Sequence, residues 1–318
     1  MVLIDKCNRP LFNMRVAITR RCNLHCEYCH MEGEEKCGVK PGSEMTVEEI
    51  VRIVRVALDL GISRIKLTGG EPLIREDVLD IVHGIATMDG LEDLSMTTNG
   101  ILLASLAARL RSAGLNRVNV TIPTLDKQVY HEVTGGQLDE VLEGVNAAIR
   151  AGFSPVKINM LILRGINDKS VPDMIEYARK TGTILQLIEL ENVNITDAYY
   201  VAHHMPLDTY EEMLKGKALR VETRRFMQNR RIYDLRDVSV EVIRPTENAE
   251  FCMHCTRLRL TSDGKLKPCL MLKDNLVDIL TQLRRGGSDA ELVELFREAN
   301  DRRQPYNVET LKTTWVLT

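Results

Sequence analysis

Residues 46–70, TVEEIVRIVRVALDLGISRIKLTGG, read as one helix running into one strand and a glycine turn. Thr46 and Glu49 have the spacing of a capping box, Ile50, Ile53, Val54, Ala57 and Leu58 line one helical face, and Gly61 ends the helix. The run RIKLT at 64–68 then has the apolar, β-branched character of a buried parallel strand. The same alternation extends to both sides. Strands are expected at 15–19, 64–68, 93–97, 117–121, 156–163 and 184–190, with further helices at 77–88, 102–113, 138–151 and 171–181. Six βα units predict an α/β fold, an incomplete (βα)6 TIM-type barrel whose open side needs cover, because a full barrel has eight.

The cover is expected from residues 193–318, read as a smaller C-terminal α+β region beside a barrel of residues 1–192. It carries β-like segments (LRVETRRFM, RRIYDL, VSVEVIRP) and helix candidates at 276–285 and 289–299. The last residues, PYNVETLKTTWVLT, show no clear period.

The 318 residues are 44% hydrophobic and 27% charged, which argues against disorder, a coiled coil or a disulfide mini-scaffold. Lys and Arg number 42 against 45 Asp and Glu, net −3, so no global positive field exists to hold nucleic acid. Any anionic ligand needs a local basic cluster. No apolar run approaches the roughly 18 residues of a membrane span, and the N-terminus MVLIDKCNRP lacks signal-peptide regions. A cytoplasmic location, with no membrane partner, is expected.

Eight cysteines in a reducing compartment are more often metal ligands or catalytic groups than disulfides. Cys22, Cys26 and Cys29 follow the first strand, Cys252, Cys255 and Cys269 lie near the other end, and Cys7 and Cys37 are left over as structural residues. Three thiolates suit an iron–sulfur cubane that keeps one iron open, whereas zinc wants four ligands. His25, His30 or Cys37 would complete a first zinc site, and His254 or Cys7 a second. Both alternatives stand at this level, including a non-catalytic zinc-binding interaction protein. Thr68-Gly69-Gly70-Glu71-Pro72 is either a βα turn or a place where a ligand meets unpaired backbone N–H groups. Arg257 and Arg259 share one face of a strand candidate, as do Arg64 and Lys66, and Lys157 lies in the fifth. Buried cations without a partner are costly, so an anionic ligand is expected beside them.

The spacing Cys-x3-Cys-x2-Cys, with Tyr28 before the last cysteine, together with GGEP resembles the radical S-adenosylmethionine superfamily. FCMHCTRLRLTSDGKLKPCL resembles the C-terminal block of the GTP 3′,8-cyclases, molybdenum cofactor biosynthesis protein A. Segments such as MRVAITRRCNLHCEYC, IKLTGGEPLIRED, TTNGILL and VKINMLILRGIND extend that likeness in the family's order over nearly the whole chain.

The resemblance implies two [4Fe-4S] clusters, S-adenosylmethionine as cofactor and GTP as substrate. Cys22, Cys26 and Cys29 would hold the first cluster and Cys252, Cys255 and Cys269 the second. Tyr28, Gly70, Thr121 and Glu191 fall at S-adenosylmethionine positions, and Arg15, Lys66, Thr97, Lys157, Arg257, Leu258 and Arg259 at GTP positions. It further implies an electron donor such as ferredoxin or flavodoxin and a downstream cyclic pyranopterin monophosphate synthase, and leaves a homodimer open. Departures from the family pattern are Thr121-Ile122-Pro123 in place of a segment ending in Asp, Gln186 and Glu191 where Arg and Met are usual, and an end in TTWVLT rather than Gly-Gly. A radical enzyme acting on another substrate, such as a peptide, is the alternative within the superfamily.

Overall fold

The computed structural model describes residues 2–34 and 44–307. Cys37 and the TTWVLT end lie outside the described residues.

Six strands, β1 (Asn13–Ala17), β2 (Arg64–Thr68), β3 (Asp93–Thr98), β4 (Arg117–Thr121), β5 (Val156–Ile162) and β6 (Ile184–Glu189), lie side by side in chain order, all parallel. Helices α1 (Val47–Asp59), α2 (Val78–Ala86), α3 (Leu103–Ser112), α4 (Lys127–Thr134), α5 (Leu138–Arg150) and α6 (Val171–Thr181) form the crossovers. α1 has both halves of its capping box: Glu49 N–H donates to Thr46 Oγ1 (3.3 Å), and Thr46 N–H to Glu49 Oε2 (2.8 Å). Gly61 follows with φ +81°. Ile50, Ile53, Val54, Ala57 and Leu58 are buried as their spacing requires. β1 starts two residues earlier than expected, yet Ile18 N–H still donates to Thr68 O (2.9 Å), which carries the ladder toward Thr19.

After α7 (Asp197–His203) and α8 (Asp208–Lys217) come β7 (Arg220–Arg224), β8 (Arg230–Asp234) and β9 (Ser239–Ile243). A short α9 (Ala249–Met253) leads to β10 (Arg257–Leu260), β11 (Lys265–Lys267) and β12 (Val277–Asp278), then α10 (Leu280–Arg284) and α11 (Asp289–Asp301). The C-terminal region does not build a sheet of its own. β9 joins β6 and β10 joins β1, both in parallel, so a single 12-stranded sheet runs β12-β11-β10-β1-β2-β3-β4-β5-β6-β9-β8-β7. The turn between β7 and β8 then reaches across the open side. Gln228 N–H donates to His254 O (3.1 Å), Thr256 Oγ1 donates to Phe226 O (2.8 Å), and Phe226 packs edge-on against Phe12.

Two expectations are corrected. The helix expected from residue 276 begins only at Leu280, because Val277 is drawn into pairing with Leu266 on the edge of β11. α4, which had no counterpart in the sequence reading, is capped by Asp126 and ends at Gly135, φ +76°. Among the described residues no helix is long and apolar enough to cross a membrane.

Candidate active site

Inward-facing side chains of a parallel barrel usually fill it with apolar layers. Here alternate inward positions are polar: Arg117, Asn119 and Thr121 on β4, Lys157 and Asn159 on β5, Gln186 on β6. They leave a cavity of about 320 Å³, which both cysteine triplets line.

The first triplet sits on the loop after β1. Leu24 N–H points at Cys22 Sγ and Met31 N–H at Cys29 Sγ (both 3.4 Å), donors that favour thiolates. Burial pushes the Cys26 thiol up to about 12 and raises Cys22, and the sulfurs raise one another. Ligation by a metal centre would release those protons. Tyr28 packs with Leu163 and Leu190 in a small apolar cluster against which Cys26 is packed. α4 supports it from beneath, where His25 N–H donates to Thr134 O (3.0 Å).

The GGEP loop locks onto the same segment. Gly70 N–H donates to Thr19 O and Glu71 N–H to Arg21 O (both 2.8 Å). A Cβ on Gly70 would lie 2.1 Å from Arg21 O, and one on Gly69, whose φ is +140°, 2.2 Å from Thr19 O. This corrects the expectation of an unpaired N–H at Gly70: it is occupied within the chain, and the glycines are required for one loop to approach another. The buried Glu71 carboxylate accepts from Leu73 N (3.0 Å), Thr98 Oγ1 (2.7 Å) and Asn99 N (2.6 Å), tying the β2 loop to the β3 loop. Desolvation raises its pKa to about 7.

Two of the imidazoles considered as fourth ligands, those of His30 and His254, have other partners. His30 Nδ1 accepts from Glu32 N (3.0 Å), and His254 Nδ1 faces Glu250 O (2.9 Å). Among the described residues no three His, Cys, Asp or Glu side chains are gathered as a single-ion set. The donor set at each end of the cavity is three thiols, which suits a cubane with an open iron.

Between the triplets lie the cations. Lys66 Nζ donates to Asn119 Oδ1 (2.9 Å), and its pKa is driven well down by burial and then by Arg117, Arg15 and Lys157. Arg257 is depressed by burial and by Arg230, Arg259 and Arg15. Among the described residues neither has a carboxylate at ion-pair distance. For three other candidates the burial argument is corrected. Lys157 pairs with Glu241 (2.9 Å), and Arg15 and Arg259 share Glu32, which also accepts from Thr68 Oγ1 (2.8 Å). Their burial is thus balanced from within the chain. Glu32 and Glu241 stay ionised, their carboxyls held below the usual range by these cations against desolvation. Nε of Arg15, Arg230 and Arg259 and Oε2 of Glu32 nevertheless remain buried without a hydrogen-bond partner.

Arg15, Lys66, Thr97, Lys157, Arg257 and Arg259 all line the cavity, as do Tyr28, Gly70, Thr121 and Glu191. Leu258 does not: alternation along β10 turns its side chain into the hydrophobic core. Arg64, grouped with Lys66 by strand face, pairs with Glu92 (3.0 Å) and is not among the cavity residues. Gln186 accepts from Asn119 Nδ2 (2.7 Å) and donates to Glu241. Sequence reasoning missed Asn119, Glu241, Arg224, Arg230 and Glu32. For the strand residues, polar side chains amid apolar ones in RVNVT and SVEVI were the available signal.

The radical SAM superfamily pattern matches residues 16–178, and Molybdenum Cofactor Synthesis C matches residues 183–309. A protein of Pyrococcus horikoshii named "Probable GTP 3′,8-cyclase" is 45% identical over 96% of this chain and 98% of its own. One of Methanothermobacter marburgensis with the same name is 46% identical over 96% and 99%. In fold the chain is similar to Streptococcus suis SuiB, crystallised with S-adenosylmethionine, with TM-score 0.65 and 17% identity over 92% of this chain and 69% of that one. Radical SAM enzymes use a [4Fe-4S] cluster and S-adenosylmethionine, and the Cys22, Cys26 and Cys29 thiols line the cavity. The paired domains and the full-length identity place the chain in the radical SAM superfamily and, within it, in the GTP 3′,8-cyclase family of molybdenum cofactor synthesis.

Proposed function

We propose that this enzyme converts GTP, with S-adenosylmethionine and a reductant, to (8S)-3′,8-cyclo-7,8-dihydroguanosine 5′-triphosphate. The observation that carries the reading is that both cysteine triplets and two cations with no carboxylate at ion-pair distance among the described residues line one cavity. Cys22, Cys26 and Cys29 would hold a [4Fe-4S] cluster that, with S-adenosylmethionine, would supply one-electron radical chemistry. Cys252, Cys255 and Cys269 would hold a second [4Fe-4S] cluster for the guanine.

The chain's own residues bind, orient and shield. Lys66 and Arg257 take up phosphate charge, which relieves two half-buried cations at the moment of binding. Arg15 and Arg259 each present a buried Nε–H without a hydrogen-bond partner. Tyr28, Leu163 and Leu190 give the Cys26 side of the first cysteine loop an apolar backing. We assign Tyr28, Gly70, Thr121 and Glu191 to the S-adenosylmethionine end, and Thr97, Lys157 and the Leu258 backbone to the GTP end. Ferredoxin or flavodoxin would deliver the electron and a cyclic pyranopterin monophosphate synthase would take the product, in the cytoplasm.

GTP deuterated at C3′ tests the assignment in an anaerobic turnover. Deuterium is expected in 5′-deoxyadenosine. Deoxyadenosine formed without deuterium would move the substrate, or the abstracted position, elsewhere.

A further inference from the structure

The N-terminal segment and the end of α11 meet behind the C-terminal cysteine pair. Asp5 accepts from the backbone N–H (3.0 Å) and Nε (2.8 Å) of Arg9, and lies 3.4 Å from Nη1 of Arg303. Arg9 Nη1 donates to the carbonyl of Cys252 (2.8 Å), and Arg303 Nη2 donates to the carbonyl of Cys255. Arg303 Nη1 also reaches Arg9 O (3.2 Å) and Asn300 Oδ1 (3.1 Å). The side chains of Asp5, Arg9 and Arg303 are 0%, 5% and 1% exposed.

Two guanidinium groups against one carboxylate leave a net positive charge in a place closed to water. Holding a neutral turn would not require it: a backbone or amide donor would satisfy both carbonyls without desolvating a cation. The arrangement gains its reason if an anion sits on the far side of the turn. Three thiolates more than offset the positive core of an iron–sulfur cubane, so a cluster at Cys252, Cys255 and Cys269 is such an anion. Cluster potentials follow net charge and local hydrogen bonding. Backbone N–H groups reach sulfurs at both triplets, those of Leu24 and Met31 at the first and those of Arg257 and Met271 at the second, and the guanidinium pair behind the Cys252 and Cys255 carbonyls comes in addition at the second.

We propose that Asp5, Arg9 and Arg303 form a charge clamp for the C-terminal cluster. Arg9 and Arg303 fix the two cysteines through their carbonyls, and their excess positive charge raises the cluster's reduction potential. Arg9 and Arg303 are positioning residues, since they act through the cysteine backbone. The proposal rests on the reading that this triplet holds a [4Fe-4S] cluster.

The test uses the full chain, reconstituted anaerobically, as wild type, R303M and R303K. Iron per chain and an electron paramagnetic resonance redox titration of both clusters are the readouts. Wild type should bind about eight irons. R303M should either lose the C-terminal cluster, falling to about four irons, or keep it at a more negative potential, with the N-terminal cluster unchanged. R303K, which keeps the charge but not the fork of donors, should lie between the two. If R303M does not fold, R303K alone is compared with wild type, and a partial loss is expected. Full iron with unmoved potentials in the variants overturns the clamp, and so does an R303K as impaired as R303M. A wild type with about four irons refutes the two-cluster reading itself, and the clamp with it.

Discussion

Lys66 and Lys157 both project inward from central strands, but only Lys157 has a carboxylate, Glu241, at 2.9 Å. Lys66 is held by an amide oxygen among other cations, so its charge destabilises the empty protein and is relieved by an anion. Lys66→Met should therefore leave thermal stability unchanged or raise it, while weakening GTP binding by about 10- to 100-fold, the loss of one charge-assisted contact. Calorimetric titration and a melting curve check both halves. Unchanged affinity would remove Lys66 from the substrate site.

Glu71 gives a pH prediction. Its carboxyl goes from the ordinary 4.5 to about 7 by burial, so between those values the folded chain binds more protons than the unfolded one. Its contribution is present below about pH 4.5 and declines, by up to about 3 kcal/mol, as pH rises through 7. Glu71→Gln should flatten the melting temperature of the cluster-free protein against pH across that window. A variant as steep as wild type would mean that Glu71 does not titrate there.

Among elements, α1 was legible in full because its cap, apolar face and terminal glycine are all local. α4 was not: its eight residues owe their place to burial of Tyr130 and to a carbonyl offered to the cysteine loop. β12 exists because β11 presents an edge, and nothing local announces two residues of strand. The glycine turn was found for an incomplete reason, since contact between two loops leaves no mark in sequence beyond the glycines themselves. Gly70→Ala should cost about 3 kcal/mol of stability through overpacking against the Arg21 carbonyl, and should reduce iron at the first triplet. Melting curves and iron content report this. A variant with wild-type stability would show that the loops can part freely.

At the scale of the molecule, the six-unit barrel was readable from period, and the two cysteine triplets that line its cavity were readable from spacing. How the barrel is covered was not, because strand partners of β9 and β10 are set by sheet edges far away in the chain. The same holds for the charge balance of the site. Basic residues on strand faces could be picked out, whereas Glu32 in a loop and Glu241 in a valine run carry no spacing that marks them as counter-charges. Folding brings both sheet edges to one cavity, and with them the two triplets whose joint presence the proposed reaction requires.

The most direct measurement is an anaerobic single turnover of the reconstituted protein with dithionite, S-adenosylmethionine and GTP, followed by mass. The account predicts 5′-deoxyadenosine and a cyclised guanosine triphosphate together. Deoxyadenosine with GTP left intact, or neither product from iron-loaded protein, would contradict it.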